Sequence, residues 1–311
     1  MKPTVLQLCA LSPALDAALA EEYQVLRGWE QPDTDALLAE HGSAIVGIAT
    51  AAPTGVPRAL IEALPALKVI SCRGVGLDKI DLALAKDRGV QVAGTFGTLA
   101  DCVADLAFAL LLDVAREVAA SDRYLRDGQW AKGRYPLTTR VSGKRLGIVG
   151  LGQIGRLVAK RGSGFDMEVA YNNRRPVADV DYRHEPSLKA LAEWADFLVV
   201  CVAGGSGTEA LISRDVIEAL GPKGYLVNVS RGTVVDEPAL IEALQQKRIA
   251  GAGLDVFVDE PQVPAALIEM HNVVLTPHTG SGTVETRQAM EDLVLENLRA
   301  YFRDGQVKTP A

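Results

Sequence analysis

RLGIVGLGQIGRLVAKR, residues 145–161, runs from branched apolar residues through Gly150, Gly152 and Gly155 into a basic segment with helical spacing. A short apolar run reads as a strand and the segment after the glycines as a helix, so the glycines occupy a strand-to-helix turn. At such a turn the free N–H groups of the first helical residues, Gln153 and Ile154, and the positive helix end face an anion. Gly150 permits the tight turn, Gly152 lets a pyrophosphate approach the backbone, and Gly155 lets the helix lie close to the sheet. Glycine-rich turns also serve packing alone, but the complete strand, loop and helix point to a dinucleotide.

The next strand ends in AYNNRRP, residues 170–176. An Asp or Glu about 20 residues beyond the glycines would accept hydrogen bonds from the adenosine ribose of NAD. Neither is present. Asn172 and Asn173 stand there, followed by Arg174 and Arg175, and exchanging an acid for two guanidiniums suits a 2′-phosphate. NADP(H) is expected as the preferred coenzyme, with NAD(H) possible; the bland alternative is two solvated surface arginines.

RLGIVG, MEVAYNN, FLVVCVA, YLVNVS, AGAGLDVF and VVLTPH alternate with helical patterns, which predicts a doubly wound domain with a parallel sheet. An earlier series, TVLQLCA, AIVGIAT, LKVISC and VQVAG, has the same rhythm. Residues 100–126 read as one long amphipathic helix, followed by the Gly-rich and basic loop GQWAKGRYPLTTRVSGK. The segment 283–305 reads as a helix able to pack on either domain. The N-terminal twenty residues read as strand, turn and helix rather than a signal peptide.

The composition of the 311 residues is that of a globular protein, 48% hydrophobic and 23% charged. A net charge of −7 gives no general reason to bind nucleic acid or anionic lipid. ADLAFALLLDVAREVAA, the nearest approach to a membrane span, is interrupted by Asp105, Asp113 and Arg116. Four scattered cysteines without a CxxC pair suggest neither a metal site nor a disulfide framework, and a reducing, cytoplasmic location is expected.

The four histidines make the search for a proton donor short. His41 ends the helix-like DTDALLAEH and His184 lies in the polar segment DYRHEP, so both read as structural or solvated. His271 precedes the strand NVVLT, whereas His278 follows it, in TPHTGSGT. Ligands bind at the carboxyl ends of strands in doubly wound sheets, which favours His278. Arg231, in VNVSRGTVVDE, and Glu260, in GLDVFVDEP, occupy comparable positions. Together they could form one site: Arg231 to hold an anion, His278 to transfer a proton, Glu260 to favour the imidazolium.

RLGIVGLGQIGR, VNVSRGTVVDEPALIEAL, GAGLDVFVDEP and LTPHTGSGTVETR, with the earlier RGVGLDKID and ADLAFALLL, resemble the D-isomer-specific 2-hydroxyacid dehydrogenase family over nearly the whole chain. The resemblance implies an α/β protein of two doubly wound domains with the active site in the cleft between them. A flavodoxin-like substrate-binding domain would comprise residues 1–98 and 284–311, and a Rossmann cofactor domain residues 99–283. It further implies that Arg231 binds the carbonyl and carboxylate of a small 2-oxo acid, that His278 protonates the carbonyl oxygen, and that Glu260 orients and charges His278. Val75 and Gly76 fall where the family offers N–H groups to the substrate carboxylate, with Arg73 beside them. Asp255 falls where it anchors the nicotinamide amide, and Ser281 near His278. The NNRR turn and VCVAGGSGTEALI are most similar to NADPH-preferring glyoxylate and hydroxypyruvate reductases. A homodimer is implied, with Trp130 or Tyr135 placed to reach a neighbouring site. The competing readings are a nucleotide-sensing corepressor or scaffold of the same fold, and a dehydrogenase of another small acid such as phosphite.

Overall fold

The computed structural model describes residues 2–31 and 34–311; Met1, Pro32 and Asp33, the residue that opens DTDALLAEH, lie outside the described residues. The chain divides into two compact units, one formed by the chain up to Leu99 together with Thr283–Ala311, the other by Ala100–Gly282.

In the first unit β1 (Thr4–Gln7), β2 (Gln24–Arg27), β3 (Ile45–Ala51), β4 (Val69–Arg73) and β5 (Gln91–Ala93) form a parallel sheet in the order β2-β1-β3-β4-β5. Helices α1 (Pro13–Glu22), α2 (Thr34–His41), α3 (Arg58–Ala63) and α4 (Leu82–Asp87) connect them. This is the flavodoxin-like order. The central strands read as apolar runs because both faces of the sheet are covered: Leu60, Ile61 and Leu64 pack with Ile48 and Ile70 on one side, and Leu15 and Leu19 with Val5 and Val69 on the other. QVLR, the edge strand β2, is half exposed and too short to stand out as an apolar run.

The second unit contains α5 (Ala100–Arg116), α6 (Val118–Arg126), β6 (Arg145–Val149), α7 (Gln153–Ser163), β7 (Glu168–Asn172), β8 (Arg183–His184), α8 (Leu188–Trp194), β9 (Phe197–Val200), α9 (Arg214–Leu220), β10 (Tyr225–Asn228), α10 (Glu237–Gln245), β11 (Gly251–Leu254), α11 (Ala265–Glu269) and β12 (Val273–Leu275). Its parallel sheet has the order β12-β11-β10-β9-β6-β7-β8. That is the Rossmann order with one strand added, and the strand sequence reverses between β6 and β9, where such sheets open a crevice for a dinucleotide. The final helix, α12 (Val284–Asp304), returns to the first unit and buries Val294, Leu295 and Leu298 in its core.

The single helix expected over residues 100–126 is two. Glu117 adopts a left-handed conformation (φ 52°) between α5 and α6. Asp113 then caps the start of α6 by accepting from the N–H of Ala119 at 2.8 Å, and Tyr135 donates its hydroxyl to Glu117 at 2.6 Å. These contacts come from the turn and from a later loop, so the apolar periodicity that continues across residue 117 carries no sign of them.

Candidate active site

The turn after β6 has the geometry its glycines require. Gly150 has φ +95°, and a Cβ there would lie 2.7 Å from Val202 and 2.9 Å from its backbone nitrogen, across the switch point. Gly155 sits in α7 where a Cβ would lie 2.2 Å from the carbonyl oxygen of Gly150, so only glycine lets the helix approach this closely. A Cβ on Gly152 would meet no protein atom within 4 Å. The helix starts at Gly152 with no side-chain cap, leaving the N–H groups of its first turn directed at open space. That space and those donors fit a pyrophosphate.

At the end of β7, the carbonyl of Asn172 accepts from the N–H of Gly150 at 3.0 Å, and the side-chain oxygen of Asn173 accepts from the N–H of Leu151 at 2.7 Å. The two residues thus tie the next turn to the glycine loop. Arg174 and Arg175 are exposed at its apex. Neither has a protein partner among the described residues, and two unopposed guanidiniums beside a pyrophosphate site fit a 2′-phosphate.

Arg231, Glu260 and His278 stand just beyond the carboxyl ends of β10, β11 and β12, three adjacent strands. His278 Nδ1 lies 2.7 Å from Glu260 Oε2. The other oxygen of Glu260 accepts from the N–H of Phe257 at 3.0 Å. Burial pushes the Glu260 carboxyl up, but the hydrogen bond from His278, the Phe257 N–H and the charges of His278 and Arg231 outweigh it and hold it below the usual carboxylate range. Glu260 is therefore an anion, Nδ1 carries the proton between them, and Nε2 is left as the nitrogen able to exchange one. The side chains of His278 and Glu260 are 36% and 31% exposed, which leaves them reachable by a ligand.

Arg231 Nη1 donates to the carbonyl of Ser230 at 2.8 Å. Its stem runs over Gly204, in the loop after β9, where a Cβ would lie 2.5 Å from Arg231 Cγ. Gly204 therefore makes room for the arginine, a role with no local signature in VCVAGG.

Asp255 is 2% exposed, and both of its carboxylate oxygens are engaged. Oδ1 accepts from the Thr276 hydroxyl (2.7 Å) and the Thr279 N–H (2.7 Å), Oδ2 accepts from the Gly280 N–H (2.8 Å), and the backbone carbonyl accepts from His278 N–H (2.9 Å). The carboxylate expected at the nicotinamide amide is thus bound to the loop of His278, which it holds with that residue at φ 51°. Ser281 follows the same loop and is half-buried. In the first unit Arg73 ends β4 and pairs with the buried Glu291 at 2.8 Å, and Glu291 also accepts from Ser12 Oγ. Its charge is committed there, to a residue far away in sequence. Val75 and Gly76 follow in the irregular segment after β4.

The chain matches the family described as D-isomer specific 2-hydroxyacid dehydrogenase, NAD binding domain, over residues 108–280. The chain belongs to the D-isomer specific 2-hydroxyacid dehydrogenase family. Across 309 residues this dehydrogenase is 46% identical to a hydroxyphenylpyruvate reductase of Plectranthus scutellarioides, covering 98% of both chains. It is 45% identical to a 2-ketogluconate reductase of Gluconobacter oxydans, covering 99% of this chain and 98% of the relative. Among solved structures, an NADPH-dependent glyoxylate/hydroxypyruvate reductase of Sinorhizobium meliloti, in complex with NADP and malonate, superimposes with a TM-score of 0.94. That protein is 40% identical, and the match covers 100% of this chain and 97% of the other. The dehydrogenase is an NAD(P)(H)-dependent oxidoreductase, and these similarities favour that reading over a corepressor, a scaffold or a phosphite dehydrogenase.

Proposed function

We propose that this chain reduces a short 2-oxo acid, glyoxylate or hydroxypyruvate, to the 2-hydroxy acid with NADPH as its preferred coenzyme. The pairing of His278 Nδ1 with Glu260 at 2.7 Å, beside Arg231, carries this reading. The substrates in the relatives' names differ in size but share a carboxylate beside a carbonyl, so their common chemistry requires an anion holder and a proton donor. Arg231 supplies the first by a forked guanidinium. His278 supplies the second: with Glu260 holding Nδ1–H, the imidazolium presents Nε2–H to the carbonyl oxygen and loses that proton as the alcohol forms. Arg231 and the imidazolium both stabilise negative charge developing on that oxygen.

A bound nicotinamide supplies the hydride. The first turn of α7 and Gly152 hold its pyrophosphate in this reading, and Arg174 and Arg175, with Asn172 and Asn173, receive the 2′-phosphate. Val75, Gly76 and Ser281 are assigned to the substrate. Arg73, paired with Glu291, fixes the strand end that leads to Val75. No helix among the described residues is long and apolar enough to cross a membrane. We assign the chain to the cytoplasm on its four free, scattered cysteines, which suit a reducing compartment. Val118, Leu125, Trp130 and Leu137 are exposed on α6 and the loop after it, and we assign this apolar face to a homodimer contact.

The test is nicotinamide oxidation with NADPH and NADH, each against glyoxylate, hydroxypyruvate and pyruvate. Turnover with NADPH and a short 2-oxo acid is expected. His278→Ala should lower kcat by about 10²–10⁴-fold, the usual contribution of a general acid, with coenzyme affinity retained. Replacing Arg174 and Arg175 with Ala should weaken NADPH far more than NADH. Full activity of His278→Ala would remove the assignment.

A further inference from the structure

The turn from Asn172 to Val177 is fastened at both legs to one aromatic pair. Tyr171, near the end of β7, is 1% exposed, and its hydroxyl accepts from the N–H of Val177 at 2.9 Å. His184 faces it across the β7–β8 register, with ring centroids 5.2 Å apart and a tilt of 47°. His184 Nε2 lies 3.0 Å from the carbonyl oxygen of Asn173. A carbonyl oxygen only accepts, so Nε2 carries the hydrogen.

Strand β8 has two residues, and pairing alone would hold it weakly. Side chains reinforce it. Arg183 lies 4.4 Å over the Trp194 ring, and Asn172 Nδ2 donates to the carbonyls of Glu185 (2.8 Å) and Pro186 (3.1 Å). The Leu151 N–H is a donor, so the Asn173 amide must turn its oxygen toward it, and Nδ2 is the end left for a ligand. The apex of the turn then presents donors alone: one amide and two guanidiniums.

We propose that His184 is a positioning residue for coenzyme choice, its Nε2–H bond to the Asn173 carbonyl and its tilted ring contact with Tyr171 holding the Asn172–Val177 turn so that Arg174 and Arg175 meet a 2′-phosphate. The proposal rests on the NADPH reading above. Long exposed arginines lose rotamer freedom when they bind, and a wandering backbone would add its own entropy loss; a turn fixed beforehand adds little. The pyrophosphate is held by the α7 turn instead, so NADH, which lacks the extra phosphate, should be nearly indifferent to the brace.

Coenzyme affinities of the purified full-length protein, read by nicotinamide fluorescence with NADPH and with NADH, test this. His184→Ala should raise Kd for NADPH by about tenfold, the scale of one lost hydrogen bond with its ring contact, and Kd for NADH by less than about twofold. Turnover at saturating NADPH should be unchanged. His184→Gln, whose amide can donate to the same carbonyl, should recover most of the affinity. Tyr171→Phe keeps the buried ring but frees Val177, and should shift the NADPH to NADH ratio in the direction of His184→Ala; it decides the matter if the alanine variant does not fold. Equal losses for both coenzymes, no loss in a folded variant, or failure of Gln to rescue would each overturn the proposal. If the unaltered protein itself binds both coenzymes equally and loses nothing on removal of Arg174 and Arg175, the 2′-phosphate reading fails instead.

Discussion

Glu260 is the residue on which the proposed proton chemistry turns. Its folded carboxyl lies below the ordinary glutamate value, so its ionisation contributes stability above that ordinary value, and the contribution is lost as pH falls through the lower folded value. Glu260→Gln should abolish that part of the acid dependence while leaving the fold intact at neutral pH. Without the carboxylate, His278 loses the partner that fixes its Nδ1, and kcat should fall by roughly 10²-fold. Stability across pH 3–7 and kcat at neutral pH check both effects, and an unchanged kcat would detach Glu260 from His278. The place of His278 at a strand end was legible in the sequence, because only one of four histidines follows a strand that opens into a Gly- and Thr-rich loop. The room that Gly204 makes for Arg231 was not, since it is defined by a contact 27 residues away.

At the scale of elements, the loop from Thr276 to Gly280 behaves as an extension of β11. Asp255, at the end of that strand, satisfies two of the loop's N–H groups and a hydroxyl with one carboxylate. Asp255→Ala would leave these donors without an acceptor in a buried place, costing about 1–3 kcal/mol for a buried group left unpaired. Denaturant unfolding should register that loss, and kcat should fall with Kd for NADPH little changed. A selective loss of coenzyme affinity would favour the nicotinamide role that the family resemblance implies. The central strands could be read as apolar runs because the sheets bury them on both faces; β2 and β8 could not, being short and partly exposed at sheet edges. The break at Glu117 was hidden for a different reason. Residues 113 and 135 impose it through side-chain hydrogen bonds, and helical periodicity does not record such contacts.

Considered whole, the molecule has one unit made of continuous chain and one made of two pieces. Residues 100–282 carry a core of their own, running from Val149 and Leu198 to Leu254, and should fold when produced alone, melt cooperatively and retain NADPH affinity. Removing residues 284–311 should have the opposite reach: the first unit loses Val294, Leu295 and Leu298 from its core and unfolds, while the coenzyme unit persists. Calorimetry of both truncated chains checks this, and loss of the coenzyme transition in the second would sink it. The same discontinuity sets an order of assembly during synthesis. The part of the first sheet that α12 covers, beside α1, stays bare until the whole second unit has left the ribosome, an interval on the order of ten seconds or more at ordinary elongation rates. The coenzyme unit, complete in itself, is ready to fold first, and the nascent N-terminal strands must be kept from strangers until the last helix arrives.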